Sequence, residues 1–139
     1  MQKFAAFIAK LPRNTLTVLC VAAILYLTLV PKPLPDNSLQ LIPGMDKIAH
    51  AIMFGGLVLC MAADYSRRLP RCQPGNMRLL AYAAVSTVFG GIIELLQNYM
   101  GLGRGGDIYD FIADAVGCIV FAFALTPPLL RALKFEENR

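Results

Sequence analysis

Four long runs of apolar residues constrain the fold of this chain more than any other feature. They cover residues 14–31, 46–64, 79–97 and 107–126. Each approaches the roughly 20 residues that a helix needs to cross a bilayer. The composition agrees, since 57% of the 139 residues are hydrophobic and only 16% are charged, against about 25% in typical soluble domains. We therefore expect one all-α membrane domain over residues 1–139, with four transmembrane helices.

The stretches between these runs differ in character. Residues 1–11 are mildly amphipathic, which fits either a short interfacial helix or a frayed terminus. Residues 31–45 are rich in proline, which predicts an extended loop before the second helix. Polar loops are expected at 64–78 and 98–106. The fourth run should stop at the Pro127–Pro128 pair, because proline interrupts helical hydrogen bonding.

The distribution of basic residues predicts the orientation. With the N-terminus inside, ten of the thirteen Lys and Arg residues fall on the cytoplasmic side, and only Lys32, Lys47 and Arg104 fall outside. Positive residues concentrate on the cytoplasmic side of membrane proteins, so both termini are expected in the cytoplasm. We therefore expect the lipid bilayer to be a partner of this protein. The basic residues form no continuous face, which argues against nucleic-acid binding.

Charged residues enter the apolar runs at three places. Asp46 and His50 lie four residues apart at the start of the second run, and Glu94 and Gln97 lie three apart near the end of the third. The fourth run begins with three acids, Asp107, Asp110 and Asp114. Because the helices alternate in direction, all of these residues fall within ~10 Å of the outer helix ends. Charges facing lipid cost several kcal/mol each, which predicts a shared, outward-facing polar pocket.

Three of these side chains are candidates for acid–base chemistry, namely His50, Glu94 and Asp110. A lone histidine can serve as a base, a proton carrier or a metal ligand. A metal held by His50 with Glu94, Asp110 or Asp114 is conceivable, but one imidazole with carboxylates selects no particular ion. We assign no metal and leave the cofactor unknown. The alternative is a polar lock between helices without chemistry.

The remaining polar residues are candidates for binding, and they are Asp46, Gln97, Arg104, Asp107 and Asp114. Arg104 lies in a glycine-rich turn before a helix, where it could hold a phosphate or a carboxylate. The glycines could equally serve only the turn. We expect Asp107 to cap the fourth helix.

Taken together, these residues resemble the VanZ-like family of small bacterial membrane proteins. The motifs are Asp46-Lys47-x-x-His50, Glu94-x-x-Gln97 and Arg104-x-x-Asp107-x-x-Asp110-x-x-x-Asp114-x-x-Gly117. Family members commonly carry asparagine where this chain has Asp114. The family name comes from a protein linked to resistance against the glycopeptide teicoplanin. The resemblance implies a multi-pass protein of the bacterial cytoplasmic (inner) membrane, with a role in the cell envelope and a link to antibiotic resistance.

Three classes of function follow. The first is a protein that binds a glycopeptide or a lipid-linked envelope precursor from outside. The polar pocket would be its binding site. The second is a membrane enzyme that acts on a lipid-linked phosphate or glycan by acid–base chemistry. The third is a small transporter, which intramembrane acids permit. The inner halves of the runs carry only scattered polar residues, which disfavours a continuous pathway.

Cysteine accessibility tests the predicted orientation. In a cysteine-free background, Leu102→Cys should react with a membrane-impermeant maleimide added to intact cells, because residues 98–106 are expected outside. Arg71→Cys is the matched control and should react only after lysis. Labelling of residue 102 only after lysis would overturn the topology.

Overall fold

The computed structural model describes residues 11–30, 44–69, 72–100 and 107–133. These residues form helices and short connections, without a strand. The helices are α1 (Thr15–Leu29), α2 (Met45–Arg68), α3 (Asn76–Met100), α4 (Ile108–Val120) and α5 (Thr126–Leu133), with a π-helical stretch (Phe121–Leu125) joining the last two. The predicted interfacial helix, most of the proline-rich loop and Arg104 lie outside the described residues.

Among the described residues, three helices are long and apolar enough to cross a membrane. They are Met45–Arg68, Asn76–Met100 and the continuous helix Ile108–Ala132, with 24, 25 and 25 residues. At 1.5 Å per residue, each exceeds the roughly 30 Å of a hydrocarbon core. Helix α1 is apolar but has only 15 residues, and so spans about 22 Å. The fold is therefore an all-α bundle of three long apolar helices and one shorter one.

Contacts at the helix ends define the packing order. Thr17, near the start of α1, bonds to Asp64 near the end of α2. The side-chain amide of Gln97, near the end of α3, donates to the carbonyl oxygen of Thr28, near the end of α1. His50 near the start of α2 contacts Asp114 in α4. Successive helices therefore run in opposite directions.

Two predicted loops are shorter than the sequence suggested. The prediction of a loop at 64–78 is wrong for its first residues, because α2 continues to Arg68. Asp64 is 2% exposed, and Thr17 and Arg67 both donate to its carboxylate. These bonds satisfy the charge within the bundle, so the helix need not end there. Helix α3 likewise continues to Met100, beyond the predicted start of the second loop.

The prediction that the fourth run stops at Pro127–Pro128 is also wrong. Both prolines lie in the first turn of α5, which continues to Leu133. A proline inside an α-helix removes a hydrogen bond and clashes with the preceding turn, but it is tolerated in the first turn. The π-helical stretch precedes them, with the N–H of Thr126 donating to the carbonyl of Phe121. This wider turn makes the prolines the start of a new helical segment.

Helices α2 and α4 touch through their backbones at Gly117. A Cβ at this position would overlap the carbonyl oxygen of Ala51 and lie 2.6 Å from its Cα. Only glycine permits such an approach without moving a helix. The same contact brings two polar residues together. They are His50, which is adjacent to Ala51, and Asp114, which lies one turn before Gly117.

This packing predicts different outcomes for two glycine substitutions. Gly117→Ala should lower the free energy of unfolding by about 1–3 kcal/mol, the typical cost of overpacking, because backbone atoms cannot yield as a flexible side chain does. Gly56→Ala is the control, since a Cβ there meets nothing within 4 Å and alanine favours a helix. Thermal unfolding in detergent, followed by circular dichroism, measures both. An unchanged midpoint for Gly117→Ala would contradict the close approach.

Candidate functional site

The centre of the polar cluster is a contact between His50 of α2 and Asp114 of α4. The imidazole Nδ1 lies 3.1 Å from Asp114 Oδ1. With Asp114 ionised, its carboxylate only accepts, and Nδ1 then carries the proton of this hydrogen bond. Both residues are buried, with exposed fractions of 5% and 0%. Phe54, one turn along α2, stacks on the imidazole with ring centroids 6.1 Å apart and so limits rotation of the ring.

Glu94 brings the third helix, α3, to the same imidazole. Its Oε1 lies 3.6 Å from His50 Nδ1, while its Oε2 accepts a 2.9 Å hydrogen bond from the backbone N–H of Asp107. The residue is 7% exposed. Within the described part of the chain, Oε1 has no hydrogen-bond partner. One oxygen of Glu94 thus ties α3 to the start of α4, and the other faces His50.

Asp114 requires a small neighbour on α3. A Cβ at Gly90 would lie 2.6 Å from Asp114 Oδ2, so a larger residue would displace the carboxylate. Oδ2 also has no hydrogen-bond partner among the described residues. A buried unpaired carboxylate oxygen costs about 1–3 kcal/mol or more. His50, Glu94 and Asp114 therefore form a buried trio that retains unused acceptor capacity.

Lys47, Asp107 and Asp110 form an ion-pair rim next to this trio and nearer the helix ends. The Nζ of Lys47 is 3.0 Å from Asp110 Oδ1 and 3.1 Å from Asp107 Oδ2. The side chains of Lys47 and Asp107 are about two-fifths exposed, whereas that of Asp110 is only 10% exposed. Asp107 caps α4 as predicted, accepting from the N–H of Tyr109. This hydrogen bond, with the nearby ammonium of Lys47, holds the pKa of Asp107 below its usual range.

Not every predicted site residue joins this cluster. The side-chain amide of Gln97 donates to the backbone carbonyl of Thr28 at 2.9 Å, so it links α3 to α1. Asp46, in the first turn of α2 after Gly44 at the N-cap position, does join it, since its carboxylate lies within 4.8 Å of donor atoms of His50 and Asp110. Arg104 lies outside the described residues. Lys47, which belonged to the motif but was not among the candidate site residues, is the cation of the rim.

Two sets of side chains in this cluster could hold a metal ion. The donor atoms of His50, Glu94 and Asp114 all lie within 4.8 Å of one another, and so do those of Asp46, His50 and Asp110. Every member of the first set is buried, whereas Asp46 in the second is partly exposed. The first set is thus the better shielded from water.

A second polar cluster, at the opposite end of the bundle, was missed by the sequence reasoning. The backbone N–H and hydroxyl of Thr17 donate to Asp64 Oδ2 at 2.9 and 2.7 Å, and Arg67 donates to the other oxygen. Arg67 also donates to the carbonyl of Leu11. Asp64 and Arg67 were expected in a polar loop, because further basic residues directly follow them in the sequence. The contacts are those of a structural lock, since Arg67 and Thr17 occupy both carboxylate oxygens.

Comparison with known proteins agrees with the polar motifs. A family model described as VanZ/LLP1 matches residues 6–131. The chain belongs to the VanZ/LLP1 family. This confirms the resemblance predicted from the motifs, and the VanZ/LLP1 match covers α1 to α4, most of α5 and the charged cluster. No curated protein and no solved structure gives a significant match to the chain.

The rim predicts a compensating pair of substitutions. Lys47→Met should lower the unfolding temperature in detergent by several degrees, because the largely buried Asp110 then loses its cation. Adding Asp110→Asn should recover part of this loss, since the uncompensated charge is removed. Lys47→Arg, which keeps the charge, serves as the control. A double variant less stable than Lys47→Met alone would contradict the assigned ion pair.

Proposed function

We propose that this VanZ/LLP1 protein binds a lipid-linked envelope precursor at the outer face of the bacterial cytoplasmic membrane. The observation that carries the proposal is the convergence of charged side chains from α2, α3 and α4 at one end of the bundle. The partly exposed rim residues Lys47 and Asp107 lie at the same end, nearer the helix ends than the buried trio. Ionisable groups within apolar helices are costly and mark functional sites in membrane proteins.

The orientation of the bundle supports an outward-facing site. The described basic residues at the end opposite the trio include Arg67 and Arg68 of α2 and Arg78 of α3, while Lys47 is at the trio's end. By the positive-inside rule, the arginine-rich end is cytoplasmic. We infer that α1 completes four membrane spans and that both termini are inside. The trio and its rim then open toward the outer leaflet as the polar pocket.

The surroundings of the cluster suit a ligand with a lipid tail. Large apolar side chains on the outer faces of the same helix ends are about half exposed or more, among them Ile52, Leu95 and Ile108. A polyprenyl chain can remain in the bilayer beside these faces while its headgroup reaches the rim. Carboxylates and the Lys47 ammonium supply hydrogen bonds for the sugar and peptide groups of such a headgroup. A protein that engages this precursor would alter susceptibility to glycopeptides, as the family resemblance implies.

One observation favours a second candidate, a membrane enzyme acting on the same lipid-linked phosphate or glycan. His50 is oriented by Asp114 and faces a second carboxylate, whose Oε1 has no partner among the described residues. An oriented imidazole beside a free carboxylate oxygen is suited to moving a proton to or from a substrate. In this reading Glu94, His50 and Asp110 carry the acid–base work, and the remaining polar residues hold the substrate.

A binding assay in nanodiscs tests both candidates. A purified lipid-linked disaccharide–pentapeptide diphosphate is incubated with the protein, and both bound ligand and ligand mass are measured. We expect saturable binding that weakens about tenfold or more in Glu94→Gln and His50→Ala, because a hydrogen bond to a charged group contributes about 1.5–3 kcal/mol. Asp64→Asn is the control, since it changes a buried carboxylate at the other end.

The outcomes separate the candidates. Recovery of the precursor at unchanged mass supports binding, whereas a changed mass that depends on Glu94 supports the enzyme. Teicoplanin susceptibility of cells expressing each variant at equal membrane levels supplies the cellular readout. Equal precursor binding by all variants, together with equal susceptibility, would overturn the proposal.

A further inference from the structure

The described residues do not fully balance the negative charge of the two carboxylates in the trio. Glu94 and Asp114 are two buried carboxylates, and His50 is the nearest residue able to bear a compensating charge. Lys47 is already occupied by Asp107 and Asp110. Burying carboxylates without compensation is costly, and such groups are normally paired or bound to a metal. Oε1 of Glu94, which faces His50, also has no hydrogen-bond partner among the described residues.

The spacing of the donor atoms fits a bound cation. Ligand distances of about 2.1 Å to nitrogen and oxygen imply separations between adjacent donors of about 3.0 Å in octahedral and about 3.4 Å in tetrahedral geometry. His50 Nδ1 lies 3.1 Å from Asp114 Oδ1 and 3.6 Å from Glu94 Oε1. Both oxygens therefore face the same ring nitrogen at separations close to those of a shared ion, and the donor atoms of the trio all lie within 4.8 Å of one another. The partnerless, buried Glu94 Oε1 is directed into this space.

We propose that His50 Nδ1, Glu94 Oε1 and Asp114 Oδ1 bind a divalent transition-metal ion of the Mn²⁺–Zn²⁺ class. The ion replaces the proton on Nδ1, and two carboxylates with a neutral imidazole then balance its charge. A set of one nitrogen and two oxygens is too small for the six to eight oxygens that Ca²⁺ takes. Imidazole favours Zn²⁺ and related ions, and carboxylates accommodate Mn²⁺.

The ion also deepens the proposed function. A precursor diphosphate would be repelled by bare carboxylates, whereas a metal ion between them would attract it. The assignment rests on the proposed function only in placing that diphosphate beside the ion. Binding of the metal itself requires no precursor and is measured alone.

The test is metal binding by the full-length protein in detergent. After removal of metals with a chelator, Zn²⁺ and Mn²⁺ are titrated calorimetrically, and the bound ion is counted by elemental analysis. We expect one ion per chain. Glu94→Gln and Asp114→Asn should each weaken binding by at least about a hundredfold, since even an outer partner of a ligand costs about 10–100-fold. Asp64→Asn should bind like the wild type, and Ca²⁺ should bind far more weakly.

The identity of the ligands is checked by X-ray absorption at the zinc edge. The proposal predicts a nitrogen and oxygen shell with the signature of one imidazole. Cys20 and Cys60, whose thiols contact each other, are the competing zinc site, and a sulfur shell would overturn the assignment. The spectrum decides the matter on wild-type protein, even where a variant fails to fold.

The two proposals fail separately. If the wild type binds no ion, or if Glu94→Gln binds as tightly as the wild type, the metal assignment is wrong whatever the precursor assay shows. If one ion binds through the trio but the precursor does not bind, the metal site stands and the proposed function falls.

Discussion

The backbone contact between Gly117 and Ala51 is the constraint on which the charged end depends. It brings α2 and α4 closer than side chains would normally permit. His50 is adjacent to Ala51, and Asp114 is one turn from Gly117, so the same approach sets their 3.1 Å contact. A bundle held apart by ordinary side chains would separate these groups and leave a buried acid and a buried imidazole without each other. Packing and electrostatics are therefore a single problem at this end of the molecule.

The two ends of the bundle solve the burial of charge in different ways. At the arginine-rich end, Asp64 receives donors on both carboxylate oxygens, from Thr17 and Arg67. At the other end, Glu94 and Asp114 each keep an oxygen without a hydrogen-bond partner among the described residues. A buried carboxylate with both oxygens hydrogen-bonded stabilises a fold, whereas unused buried acceptors add cost unless something binds them. The first cluster therefore stabilises the packing of the helices, whereas the second has the features of a binding site.

Sequence reasoning succeeded where the helical period and the cost of burial gave the same answer. Asp110 and Asp114 lie four residues apart in an apolar run, so they had to share an inward face, and the structure buries both. Partners that depend on exact helix positions were beyond that reasoning. Gln97 was grouped with Glu94 by spacing, yet its amide bonds to Thr28 on a different helix. Asp64 was assigned to a loop because its neighbours are charged, since sequence alone does not reveal that Thr17 and Arg67 satisfy it.

The π-helical stretch has a consequence for the whole of the last helix. Buried residues follow one another at steps of four from Asp114 through Ala122 and Thr126 to Leu130. Each such step overshoots an α-helical turn by about 40°, so four of them would rotate Leu130 by about 160° from the line of Asp114. One π-helical turn contains an additional residue and takes back about 100° of this drift. It therefore corrects the phase of the helix, so that the segment after the π-helical turn packs against α2, as the charged segment before it does.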